Sequence, residues 1–254
     1  MNRADVWSEI PDFPEGSRVL DLGAGGPAVS PKLPGDIQAT YLTSDIRLYR
    51  KATSANITAQ LITDIPDVGP FDGVVYEPPQ REAKLRVFEL IDGAFKLLAE
   101  GGRLFLAGRK NRGVESYRAR LDAVFGNVSL AGRAKRVRVY EAVKRSGAAG
   151  TGPVDPWTEF ATLYGESAEL TFRARAGVFS SDGFDPGSRL LVDTIQGIAG
   201  GRILDVGCGS GVIGITLAAA NVDVHLSMVD VDALGVACAE QNALSNGLGE
   251  RVAV

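Results

Sequence analysis

Several things are scarce in this chain, and each absence excludes something. Two cysteines, Cys208 and Cys238, stand among 254 residues. That is too few for a disulfide framework and in keeping with a reducing, cytoplasmic setting. No apolar run reaches the ~18 residues of a membrane span, so no membrane partner is expected. The opening Met1-Asn2-Arg3-Ala4-Asp5 lacks the apolar core of a signal peptide. Histidine occurs once, at His225 in a strand-like run, and no histidine general base is expected. No Gly-Lys-Ser/Thr follows a glycine turn, which excludes a phosphate-cradling P-loop. Large net charge is missing too: 27 basic residues face 31 acidic ones, for −4. That balance argues against simple coating of nucleic acid.

Apolar residues are plentiful, at 45%, enough for a core and against general disorder. Charge is unevenly spread. Residues 1–145 carry 22 basic and 18 acidic residues, and 146–254 carry 5 and 13. The segment 103–145 alone holds 12 basic against 3 acidic, a candidate grip for RNA phosphates or a solvated face.

The chain is organised around Gly201-Arg202-Ile203-Leu204-Asp205-Val206-Gly207-Cys208-Gly209-Ser210-Gly211-Val212-Ile213-Gly214. A short apolar strand runs into a glycine turn, then an alanine-rich helix over 212–220. Glycines there allow positive φ and close approach of a ligand, and the helix start aims free N–H groups at the crevice. Ser17-Arg18-Val19-Leu20-Asp21-Leu22-Gly23-Ala24-Gly25-Gly26 repeats the pattern upstream, but Pro27, Pro31 and Pro34 follow it. They preclude a regular packed helix, so the first copy reads as a worn turn.

Strands are expected over 37–44, 57–62, 71–76 and 103–107, with a closing antiparallel pair at 128–130 and 137–143. Helices are expected over 80–99, stopped by Gly101-Gly102, and over 114–125. Strands alternating with helices give a parallel sheet with helices on both faces. Residues 146–156, rich in Gly and Pro, read as a linker between domains 1–145 and 157–254. In the second domain a strand over 168–179, a helix over 188–198, the central motif, a strand ending at Asp230, a helix over 233–246 and the start of a third strand follow. Trp157 is expected to pack the domain junction.

Asp205, then Gly-x-Gly-x-Gly, then an acidic residue closing the next strand (Asp230) is the pattern of S-adenosylmethionine binding. Asp230 sits where a carboxylate accepts ribose hydroxyls. Gly209-Ser210-Gly211-Val212-Ile213-Gly214 also matches the dinucleotide fingerprint Gly-x-Gly-x-x-Gly. However, Asp205 would face a pyrophosphate unfavourably, and it suits a cationic methyl donor.

Together with Gly177-Val178-Phe179-Ser180-Ser181-Asp182-Gly183-Phe184-Asp185-Pro186-Gly187-Ser188, this motif resembles the tandem-domain ribosomal RNA guanine-N2 methyltransferases of the small-subunit type, within the class I "methyltransferase small domain" group. The resemblance covers the whole chain. It implies two tandem Rossmann-like α/β domains, the first degenerate and the second truncated after its third strand begins. It also implies S-adenosyl-L-methionine as cofactor, held at Asp205, Gly207, Cys208, Gly209, Gly211 and Asp230, with Phe179 in the wall beside it. The implied reaction is methyl transfer to the exocyclic N2 of a guanine in ribosomal RNA or the small ribosomal subunit, without metal and by alignment of donor and acceptor, on an unstacked base. A monomer is expected.

The family's Asn-Pro-Pro-Phe/Tyr segment does not occur before Val254. Its nearest counterpart is Glu77-Pro78-Pro79, and a Glu carboxylate has no amide donor. The chain alone is therefore expected to be inactive. A non-catalytic RNA-binding scaffold and an NAD-type oxidoreductase are the alternatives.

Overall fold

Leucine- and valine-rich runs bounded by glycine and proline become strands in the computed structural model, which describes residues 7, 12–23, 25–147, 151–164, 168–181, 183–195, 197 and 199–254. The chain divides into Met1–Asp155 and Pro156–Val254.

The first unit is built from β1 (Arg18–Gly23), β2 (Gln38–Thr43), α1 (Ile46–Ser54), β3 (Ala59–Leu61), β4 (Phe71–Glu77), α2 (Lys84–Leu97), β5 (Leu98–Arg109), α3 (Val114–Phe125), β6 (Ser129–Ala134) and β7 (Val137–Val143). The sheet order is β3-β2-β1-β4-β5-β7-β6. β1 to β5 are parallel, and β7 and β6 close the edge antiparallel. The two-residue period of a strand supplies both faces. Leu20, Leu22, Val74, Tyr76, Leu104 and Leu106 join the core under α2 and α3. Val19, Val75, Phe105 and Ala107 pack with Trp7 and Phe13 on the other side. Fully buried Val87, Ile91 and Leu121 anchor the helices, at ~1.5–3 kcal/mol each.

The expected helix over 80–99 is shorter. It starts at Lys84 and ends at Leu97: Gln80 and Arg81 form a turn closed by Glu82 N donating to Pro79 O (3.1 Å), and Ala83 is extended. Gly101 and Gly102 do not stop it: Leu98 is already extended, and both glycines lie within β5. The helix α1 was not foreseen. Its signal is Asp45, which caps it by accepting from the N–H groups of Arg47 (2.8 Å) and Leu48 (3.4 Å).

The second unit opens with an antiparallel hairpin, β8 (Trp157–Tyr164) and β9 (Ala168–Arg175). Of this pair only the second strand was read from sequence. Trp157 packs on the cluster of Val178, Leu234 and Cys238, with the guanidiniums of Arg173 and Arg175 at 5.0 and 5.6 Å from its ring. Then come α4 (Pro186–Ile195), β10 (Gly201–Val206), α5 (Val212–Ala220), β11 (Val224–Val229), α6 (Ala233–Ser245) and β12 (Val252–Ala253). The parallel sheet runs β10-β11-β12, the arrangement of β1-β2-β3. Among the described residues no helix is long and apolar enough to cross a membrane.

Candidate functional site

In the second unit β10 ends at Val206, and the chain turns through Gly207, Gly209 and Gly211 into α5. All three glycines have positive φ, +80°, +54° and +83°, where a side chain is strained. They serve two purposes. A Cβ at Gly207 or Gly209 would meet nothing within 4 Å, so the space above the turn is open. A Cβ at Gly211 would lie 2.8 Å from Ile215 Cδ1 and 3.1 Å from Ala239 Cβ. Gly211 therefore packs α5 against α6 and does not face open space.

Two carboxylates flank the turn. Asp230, at the end of β11, accepts from Gly209 N on one oxygen (2.8 Å) and from Asp232 N on the other (2.9 Å). It holds the turn and keeps lone pairs for a ligand. Asp205 is half-buried and accepts from Gly214 N at 3.2 Å. Burial pushes its pKa up against that bond, and the charge of Asp230 adds to the rise. This carboxylate would gain from a cation beside it. Gly214 is needed for the contact, since a Cβ there would press on Leu226 and on Asp205 itself.

Cys208 turns inward, packing with Val212, Ile215, Leu226 and Met228. Its Sγ donates weakly to Gly209 O (3.7 Å). Burial, helped by Asp205 and Asp230, pushes the thiol up to about 12. Only its backbone belongs to the turn's open side. Phe179 is 76% exposed. It follows Val178, which is buried against Leu234 and Cys238 at the start of α6. Further along, Asp185 caps α4 through Gly187 N, Ser188 N and the Ser188 hydroxyl. The hydroxyl bond chiefly holds its pKa down.

One residue of the site carried no sequence signal. Asn242, fully buried, donates from Nδ2 to Ser210 O and Arg173 O (both 2.9 Å), and its Oδ1 accepts from Arg173 N (2.8 Å). It ties the glycine turn to α6 and β9.

The first unit's copy is closed. Asp21 is 0% exposed. Its Oδ1 accepts from the N–H groups of Gly23 and Ala28 (both 3.0 Å). Its Oδ2 accepts from Val29 N (2.9 Å), Ser30 N (2.9 Å) and Ser30 Oγ (2.8 Å). A Cβ at Gly23 would sit 2.5 Å from Ala28 N and Gly26 O. Glu77 accepts from Trp7 Nε1 at 3.1 Å. Ala24 and Asp182, named with these motifs, lie outside the described residues.

The basic segment divides. Arg120 is spent on a buried pair with Asp92 (2.6 Å), Lys144 on Leu98 O (2.7 Å) and Arg103 on Glu141 (3.5 Å). Arg109, Lys110, Arg112, Arg133, Lys135 and Arg136 are exposed. They gather at one corner: Arg109 is in register with Val137, and Lys110 N donates to Arg136 O (2.8 Å). Among the described residues no group of His, Cys, Asp and Glu could hold a metal ion.

Comparison with known proteins adds names to this geometry. A family model described as the methyltransferase small domain matches residues 8–141 and 169–254. A ribosomal RNA small subunit methyltransferase C of Acinetobacter baumannii is 28% identical over 248 residues, 97% of this chain and 72% of the relative. The protein of that name from Klebsiella pneumoniae is 31% identical over 192 residues, 74% of this chain and 52% of the relative. A solved T. thermophilus 16S rRNA N2 G1207 methyltransferase, in complex with AdoMet and guanosine, superposes with a TM-score of 0.85 at 28% identity, over 98% of this chain and 67% of that one.

Proposed function

The chain belongs to the methyltransferase small domain family, and we propose that its second unit holds S-adenosylmethionine for methyl transfer to the exocyclic N2 of a guanine in small-subunit ribosomal RNA. The observation that carries this reading is the open glycine turn beside the half-buried Asp205. A positively charged amino-acid end relieves that carboxylate, whereas a dinucleotide pyrophosphate would be repelled by it. Gly207 and Gly209 leave room for the ligand's backbone-side approach, Asp230 offers its remaining lone pairs to ribose hydroxyls, and Phe179 supplies an apolar wall. When bound, S-adenosylmethionine supplies an activated methyl on sulfur. The chain's own part is to bind and orient it.

RNA is gripped through phosphates by Arg109, Lys110, Arg112, Arg133, Lys135 and Arg136 at the corner of the first unit. No Asn-Pro-Pro segment occurs among the 254 residues, so ligand binding and RNA binding, more than turnover, are the readouts. Calorimetry with S-adenosylmethionine and with NAD should give a single-site isotherm for the first and none for the second. NAD binding without S-adenosylmethionine binding overturns the reading. Reversing Lys110, Arg133 and Arg136 to Glu should lower ribosomal RNA affinity by roughly tenfold or more and flatten its salt dependence. An unchanged salt slope removes the corner from the RNA surface.

A further inference from the structure

The first unit's turn is closed, yet a cavity of about 230 Å³ lies beside it. Its lining comes from the carboxyl ends of β1, β2 and β4, and from α1 and α2. That is where the strand order reverses, between β1 and β4, the place at which open α/β sheets take ligands.

Three features make it a built site. Tyr76 lines the cavity, is 1% exposed, and its hydroxyl has no hydrogen-bond partner among the described residues. Such a group costs ~1–3 kcal/mol to bury unsatisfied, so a partner from a ligand is favoured. Leu42, Leu48, Ile62 and Leu90 give apolar walls for a flat ring. Asp45 lies on the rim just past β2; it caps α1 and pairs with Arg47 at 2.6 Å, and ribose hydroxyls would share this carboxylate at the strand end.

Charge and size narrow the occupant. The lining cation Arg86 is held by Glu89 at 2.6 Å, leaving no lining cation for a phosphate. The volume lies below the ~300–1,000 Å³ of drug-sized ligand sites. Asp21, which would have to face a methionine-type tail, is consumed by its own loop. We propose that the first unit binds an uncharged purine nucleoside in this cavity, base between the leucines and Tyr76 Oη on a ring nitrogen or exocyclic group. The site stands independently of the second unit's cofactor.

The test is calorimetric titration of the full chain with adenosine while S-adenosylhomocysteine saturates any site on the second turn. About one adenosine per chain should still bind. Tyr76→Phe, which keeps the ring, should weaken that binding roughly five- to tenfold. Leu48→Trp, which fills the cavity from its rim, should abolish it. Both variants should keep the wild-type unfolding midpoint within a few degrees. Adenosine monophosphate should bind more weakly than adenosine. Absence of adenosine binding under saturation, or binding indifferent to both variants, overturns the proposal. Tighter binding of the monophosphate overturns the uncharged class. An oligoribonucleotide that displaces adenosine and binds more tightly reassigns the cavity to a flipped-out RNA base and overturns the free-nucleoside reading.

Discussion

Val19-Leu20-Asp21-Leu22-Gly23 and Ile203-Leu204-Asp205-Val206-Gly207 begin as the same local structure and end as opposites. Each is a strand with an aspartate near its carboxyl end, two residues before the first glycine of a turn. In the first copy Asp21 takes five hydrogen bonds from the residues after it, and the turn collapses onto the carboxylate. In the second, Asp205 accepts from one backbone N–H, and the glycines open onto free space. A carboxylate satisfied by its own loop is structural, whereas one left under-satisfied and partly desolvated is a receptor for a cation. The same contrast reaches the strands. Leu20 is 1% and Leu22 8% exposed beneath α2 and α3, whereas Leu204 is 60% and Val206 74% exposed. The first copy is mostly packing, with Leu22 and Gly23 edging the cavity beside it. The second keeps surface for other groups.

The largest effect should come from the closed copy. Asp21→Ala leaves four buried or part-buried N–H groups and the Ser30 hydroxyl without their acceptor. At ~1–3 kcal/mol per unsatisfied buried group, partly relieved by water, we expect a loss of about 3–5 kcal/mol in urea unfolding of the first unit. A loss under ~1 kcal/mol would break the contrast, since Asp21 would then be no more engaged than Asp205.

How much of this was legible beforehand follows from what each residue type can signal. Periodicity and glycine punctuation placed the parallel sheet and α3. They also placed α5 and the Asp230 strand end, because those elements bury a patterned face. β8 and α1 were missed for the opposite reason: α1 buries only Ala52, and the hairpin's pattern reads as irregular without its partner. The glycine turn was read correctly as a turn. That Gly211 and Gly214 serve packing while Gly207 and Gly209 serve openness depends on neighbours distant in sequence. Asn242 was invisible for the same reason, since its three bonds reach 32 and 69 residues away. Prolines 27, 31 and 34 announced the lost helix, of which a single turn at Ser30–Lys32 remains. They gave no hint that the loop would spend itself on Asp21.

The second effect is smaller and of opposite sign. Asp205 has a folded pKa above its unfolded one, because burial disfavours the charge. Its contribution to stability is therefore full below the unfolded value and lost as pH rises through the folded one. Asp205→Asn should raise the melting temperature of the ligand-free chain at pH 7, where Asp21→Ala lowers it. It should also cut S-adenosylmethionine affinity on the order of tenfold or more. In the wild type, affinity should climb as pH rises through that raised pKa while ligand-free stability declines. If the substitution lowers the melting temperature, Asp205 is structural after all, and the two copies are alike.

The smallest effect sharpens where the ligand side of the open turn lies. Cys208 stands between two glycines that face free space, yet its sulfur belongs to the core with Ile215 and Leu226. With its thiol pushed up to about 12, the thiolate is scarce at neutral pH, and thiolate is the reactive form. Iodoacetamide should therefore label Cys208 in the folded chain far more slowly than a free thiol, and at the ordinary rate in denaturant, read by mass spectrometry of the tryptic peptide. Cys208→Ala should cost only ~1 kcal/mol of stability and leave S-adenosylmethionine affinity within about twofold, because the ligand would meet the backbone there and not the side chain. Rapid labelling of the folded chain, suppressed by S-adenosylmethionine, would instead put the sulfur on the open side and count Cys208 with Asp205 among the groups that face the ligand.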